Sequence, residues 1–295
     1  MRSPDDEVNV NRYKIDEETY ELYRAAQIGL AEGRIDEYLE FLYHLMHYFE
    51  SGSPEACLFV LCSQDKEIYE FVRNVRFSEE QLEYLLAECA DPDSEQQVQV
   101  EFALFAVADI RSLAPIMKIY QQDPNDLILE ILTEIVAQRA ADNNALLAVP
   151  LFISMLQNAK VTPGMNEVAK SAEECKIISA LSALSCISDH HDIKELIRGN
   201  LDVFIALTEM KLGSGVTESV IDILSGIEDE RAIVFIGSMA DHPVFGKKAR
   251  AALRRSIPPG TNDINKVRTG FCMLLSAIMN KGFKGSQKKK KKKPD

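Results

Sequence analysis

Three groups of residues have the types and spacing that chemistry needs. In "YHLMHYFE", His44 and His47 stand three apart with Glu40 one helical turn earlier. Two imidazoles and a carboxylate on one helix face are zinc-ligand types. The segment brings no second ligand cluster, however, and a partly buried capping helix accounts for both histidines. In "SCISDHHDIKEL", Cys186 precedes His190 by one turn, the spacing of a thiol–imidazole pair, with His191 beside it. No third orienting group or oxyanion-hole segment accompanies them, and a helix boundary capped by Asp189 or Asp192 explains the stretch better. The third group is "VFGKKARAALRRSI". Turned as a helix, it puts Phe245, Ala249, Ala252, Leu253 and Ile257 on one side and Lys247, Arg250 and Arg254 on the other, with Lys248 and Arg255 at the margin. One face packs and the other presents a row of cations, so only this group stands as a candidate binding site.

Recognised catalytic frameworks are missing. The chain contains no GxxxxGK[ST], GxGxxG or GxSxG. The glycines of "KLGSGVT" belong to a polar turn between helices. Acidic pairs such as those in "DEETYE" and "IEDER" suit solvated faces or first helical turns. No catalytic residue, metal ligand or cofactor-binding residue is assigned, and a noncatalytic protein is expected.

Charge is unevenly distributed. The 295 residues carry a formal −13, yet residues 246–295 hold fifteen Lys or Arg against Asp263 and Asp295, a local +13 that leaves −26 on residues 1–245. The run Lys288, Lys289, Lys290, Lys291, Lys292 and Lys293 therefore ends a basic region about fifty residues long. Such asymmetry speaks of partners. An acidic protein tail or RNA would meet the basic end, and binding to RNA would weaken steeply with salt. An import signal and a solubilising tail are the other readings of the lysine run, and an anionic lipid surface is a further one.

The elements that must carry these residues are helices. Apolar residues make up 46% of the chain, with only 14 glycines and 11 prolines, too few for the turns of an all-β fold. Five stretches share a helix–polar turn–helix shape: 82–109, 113–138, 149–189, 201–229 and 232–258. Their ends are spaced 29, 51, 40 and 29 residues apart, and "KVTPGMNEVA" looks like a loop inserted into the longest. A helix pair cannot bury its apolar face alone; stacked pairs share a continuous core. The longest apolar runs are near nine residues, too short for a membrane span. The six cysteines are scattered, with no CxxC, and the start is rich in acids rather than patterned as a signal peptide. Free thiols in the cytoplasm, with access to the nucleus, are the expectation.

The turn with Asp241 and Pro243, the basic residues after it, and Ala249, Ala252 and Leu253 in "ADHPVFGKKARAALRRSI" resemble the HEAT pattern. Over about 80–258 the chain resembles the armadillo/HEAT superfamily. That resemblance implies an all-α fold, a right-handed α-solenoid of stacked two- and three-helix repeats. Residues 25–54 are similar to a single tetratricopeptide unit, although a capping hairpin is the simpler reading. The expected layout is a disordered N-terminus (1–15), a solenoid over 16–260 with a capping hairpin at 16–51 and an inserted loop at 159–169, a C-terminal capping helix at 262–281, and a disordered polylysine tail at 282–295.

The resemblance also implies a role: a scaffold or adaptor whose acidic groove holds a protein partner, one with a basic segment by charge, while the basic end adds electrostatic attachment. Armadillo-type import adaptors grip basic peptides with tryptophan and asparagine ladders, which a chain without tryptophan lacks. Armadillo-type exchange factors for the Hsp70 chaperone, of similar size and acidity, are the alternative, together with an RNA- or ribosome-associated factor acting through the basic C-terminus.

Overall fold

The structure is a computed structural model describing residues 15–51, 53–162, 164–210 and 212–256. The described residues form fifteen α-helices and no strand, so the fold is all-α. None of these helices is long and apolar enough to cross a membrane. The expected capping helix at 262–281 and the tail at 282–295 lie outside the described residues, as do residues 1–14.

The chain forms two compact units. One comprises the described residues up to Asn158 together with Cys175–Ile187; the other comprises those of Ala159–Glu174 and those from Ser188 to Ser256.

The first unit opens with a hairpin, α1 (Glu17–Ala31) and α2 (Asp36–Tyr48). Asp16 caps α1 by accepting from the Thr19 N–H, and Gly33, at φ +83°, makes the turn that an L side chain resists. α3 (Pro54–Gln64) runs into α4 (Lys66–Asn74) through Asp65, whose carboxylate accepts from the Glu67 and Ile68 N–H groups. The Tyr20 hydroxyl also donates to Asp65, at 2.5 Å, tying α1 to the start of α4. That bond, with burial adding to it, pushes the Tyr20 hydroxyl up to about 12. Tyr23, Tyr38, Phe41, Phe71 and Phe77 interlock between these helices at centroid separations of 5.1–6.3 Å, mostly edge to face.

α5 (Glu79–Ala90) starts with a full capping box between Ser78 and Gln81. α6 (Gln97–Val107) is the hub of the unit, touching α2, α3, α4, α5 and α8 (Asp126–Gln138). Every residue from Val100 to Val107 is buried, so α6 has no solvent stripe. α7 (Leu113–Gln122) pairs with α8. A 3-10 turn, Asn143–Ala148, leads into α9 (Val149–Asn158), and the C-terminal part of α10 (Glu167–Cys186) completes the unit. The loop expected over 159–169 is shorter than that: Asn166 accepts from the Ala169 N–H at 2.8 Å and starts α10 at Glu167.

The second unit contains α11 (His191–Gly199), α12 (Leu201–Leu207), α13 (Ser214–Ser225), α14 (Glu230–Ser238) and α15 (Gly246–Ser256). Neither Asp189 nor Asp192 caps α11. His190 holds the N-cap position, and Asp192 lies inside the first turn, where its charge suits the helix dipole.

One device recurs in both units. Asp109 caps the turn at Ile110–Ser112 and grips the Arg111 guanidinium, which donates to the Phe77 carbonyl. Asp229 likewise caps α14 and holds Arg231, which donates to the Arg198 carbonyl. Arg139 donates to the Ala108 carbonyl at the left-handed end of α6, and Arg198 to the Glu228 carbonyl. These links join residues 34, 33, 31 and 30 apart, close to the 29-residue spacing of the shorter helix pairs. Two of the acceptors, Ala108 and Arg198, lie at helix C-termini, and the other two, Phe77 and Glu228, directly precede the N-cap of the next helix. Replacing Arg111 with alanine should lower stability by about 1 kcal/mol, typical of a charge-assisted bond made by a half-exposed side chain; the shift in urea midpoint measures it.

Glu101 is the buried acid of the hub, 5% exposed, with one hydrogen bond from Gln97 at 3.3 Å. Burial raises its carboxyl above the ordinary 4.5, more than the Gln97 bond lowers it. With the folded value above the unfolded one, its contribution to stability is intact below the unfolded 4.5 and is lost as pH rises through the folded value. Glu101→Gln should therefore stabilise the protein at neutral pH by about 1 kcal/mol. The gain should shrink towards zero as pH falls below 4.5, which denaturation at the two conditions will show.

Candidate functional site

In the first unit, α3, α4, α6, α8 and α10 enclose a groove of about 560 Å³. Its apolar lining comes from Leu58 and Phe59 of α3, Phe105 of α6 and Ile178 of α10. Leu58 and Phe105 are buried at 6% and 7% exposure, whereas Phe59 is 72% exposed. A local reason is visible in α3. Its apolar residues run through "ACLFVLC", so the helix presents hydrophobic groups in several directions. Cys57, Leu58 and Leu61 face the core and Phe59 is left outside. Cys62, on the next turn, also lines the groove and is exposed.

The polar lining is acidic. Glu134 is answered by Arg73 at 2.8 Å and by the Gln138 amide, and both partners of the ion pair are largely buried. Glu55 and Glu130 form no ion pair among the described residues. Burial raises the Glu130 carboxyl above its ordinary value, and the negative charges of Glu55 and Asp126 add to the rise. Lys176 lies 3.9 Å from Asp126 but does not reach that pair.

In the second unit, α15 packs on α13 and α14 through the buried Ala249 and Ala252. Its start is organised by His242, whose Nδ1 accepts from the Val244 and Phe245 N–H groups and whose ring stacks on Phe245 at 4.7 Å. The five cations placed on this helix by the sequence do not form one uniform row. Lys248 is 2.6 Å from Asp222 and 3.5 Å from Glu218, both on α13. Arg255 also reaches Asp222, at 3.5 Å. Arg250 donates to the Ala240 carbonyl. Lys247 and Arg254 are exposed and make no ion pair among the described residues. Lys288, Lys289, Lys290, Lys291, Lys292 and Lys293 lie outside the described residues.

The other chemical candidates are drawn into structure. The Thr19 hydroxyl donates to Asp16 at 2.7 Å, so its oxygen accepts from Nε2 of His44, 2.9 Å away. The Thr19 N–H and hydroxyl hold Asp16 below the usual carboxylate range, and His44 strengthens the effect. His44 thus locks α2 to the cap of α1. His47 packs against the Tyr43 ring at 4.2 Å, and Glu40 is exposed. Among the described residues, no three His, Cys, Asp or Glu side chains are arranged to hold a metal ion. Burial raises the Cys186 thiol, and Glu134 raises it further, opposite to the shift that activates a nucleophile. Burial pushes Cys57 and Cys89 up to about 12. None of the five described cysteines is in a disulfide. Comparison with known proteins found no family model, no curated protein and no solved structure that matches the chain.

Proposed function

We propose that this chain is a noncatalytic scaffold or adaptor. Its helix pairs are armadillo/HEAT-like repeats of a right-handed α-solenoid, and the groove lined by α3, α8 and α10 holds a segment of a partner protein. The exposure of Phe59 beside the buried Leu58 and Phe105 carries this reading, because a ring 72% exposed within a concave site is apolar surface that a partner can cover. The arginine-to-carbonyl links at near-constant spacing support the repeat reading. Lys247 and Arg254, with Lys288–Lys293, supply electrostatic attachment to an acidic protein tail or RNA at the basic end. Free thiols support a reducing compartment, cytoplasmic or nuclear.

Co-purification tests the role. Proteins retained by the wild type at high salt should be lost with Phe59→Asp. Those retained only at low salt should be lost when Lys288–Lys293 are replaced by alanine. Retention of every high-salt partner by Phe59→Asp would overturn the groove as the docking site.

A further inference from the structure

We infer, resting on that reading of the groove, that its partner segment is cationic and apolar together: a lysine or arginine enters between Glu55 and Glu130 while a neighbouring apolar side chain covers Phe59. The two acids come from different walls, Glu55 from α3 and Glu130 from α8, and the Glu55 charge is one of those that raise the Glu130 carboxyl. The remaining groove acid, Glu134, is already neutralised by Arg73. Two like charges thus line the groove, Glu55 exposed and Glu130 half-buried, and neither forms an ion pair among the described residues. The second unit shows what an answered pair looks like: Glu218 and Asp222 share Lys248, and Arg255 joins at Asp222. In the groove that place is open to a visitor.

A cation there would relieve the repulsion between Glu55 and Glu130 and form charge-assisted hydrogen bonds to both carboxylates. The apolar lining of Leu58, Phe59, Phe105 and Ile178 supplies an independent requirement. Covering the exposed ring contributes burial energy that a purely polar chain such as polylysine cannot supply. An acidic segment or a nucleic-acid backbone would meet the wrong sign of charge. A peptide carrying lysines beside leucines satisfies both demands.

The experiment is fluorescence anisotropy of the full chain with a labelled leucine–lysine peptide patterned as an amphipathic helix, against its leucine–glutamate counterpart, at physiological ionic strength. Wild-type protein should bind the lysine peptide saturably and ignore the glutamate peptide. Glu55→Gln with Glu130→Gln should weaken binding roughly tenfold, and Phe59→Ser, which removes the ring without adding an acid, at least as much. A control pair outside the groove, Glu80→Gln with Glu83→Gln, should change it less than about twofold. If Phe59→Ser weakens binding but the Glu55/Glu130 pair does not, the groove remains a docking site and the cation inference is overturned. If neither matters while the peptide still binds, both readings fall. Absence of saturable binding below about 100 µM overturns the cation inference. Thermal melting of each variant shows that the folded chain was compared.

Discussion

Phe102→Ala should cost the protein about 3–5 kcal/mol, whereas Phe59→Ala should leave stability within about 0.5 kcal/mol. The residue type is the same, and the difference lies in place. Phe102 is fully buried on α6, the helix on which five others of the first unit converge. Removing its ring opens a cavity inside the packing around α6, which α2, α3, α4, α5 and α8 surround. Phe59 has 72% of its surface in solvent, so its loss removes little burial. The reciprocal effect belongs to function: Phe59→Ala should weaken partner retention without altering the melting curve. Urea unfolding measures the first half, followed by the transition that reports the first unit. A Phe102→Ala change below about 1 kcal/mol would mean that α6 is not the organising helix.

Gly246→Ala should destabilise the second unit by about 1–3 kcal/mol, a large effect for adding one methyl group. A Cβ at Gly246 would lie 2.6 Å from the carbonyl oxygen of Ala240, which is backbone and cannot rotate away. The same carbonyl accepts from Arg250, so displacing it also disturbs that bond. α15 would have to shift from α13 and α14, loosening Lys248 and Arg255 from Glu218 and Asp222. Gly199→Ala is the control. A Cβ there meets nothing within 4 Å, and the gain in helix propensity should be neutral to stabilising by about 0.5 kcal/mol. Thermal melts of the two variants separate backbone crowding from a general intolerance of glycine replacement.

Much of the helical layout was legible because its signals are local. Polar turns divide α5 from α6, α7 from α8 and α14 from α15 where the sequence places them, and Ala249 and Ala252 face inward as their spacing requires. The helices α3 and α4 were not distinguished as a repeat. The apolar run of α3 is too continuous to define one face, so periodicity gives no direction. The groove was illegible for a stronger reason: Glu55, Glu130 and Ile178 lie far apart in sequence and meet only through packing. Nor does any local pattern announce that Glu218 and Asp222 neutralise Lys248 and Arg255. The cations of α15 were readable as an outward row, but the acids that answer two of them belong to α13.

Docking in the groove is tested most directly at Cys62, an exposed thiol in its wall. Mass spectrometry can follow alkylation of this residue in the full-length protein, with and without saturating leucine–lysine peptide. An occupant lying across Phe59 should shield the thiol and slow its alkylation several-fold, and Phe59→Ser should abolish the protection. Saturable peptide binding that leaves the Cys62 rate unchanged would place the partner elsewhere and contradict the account.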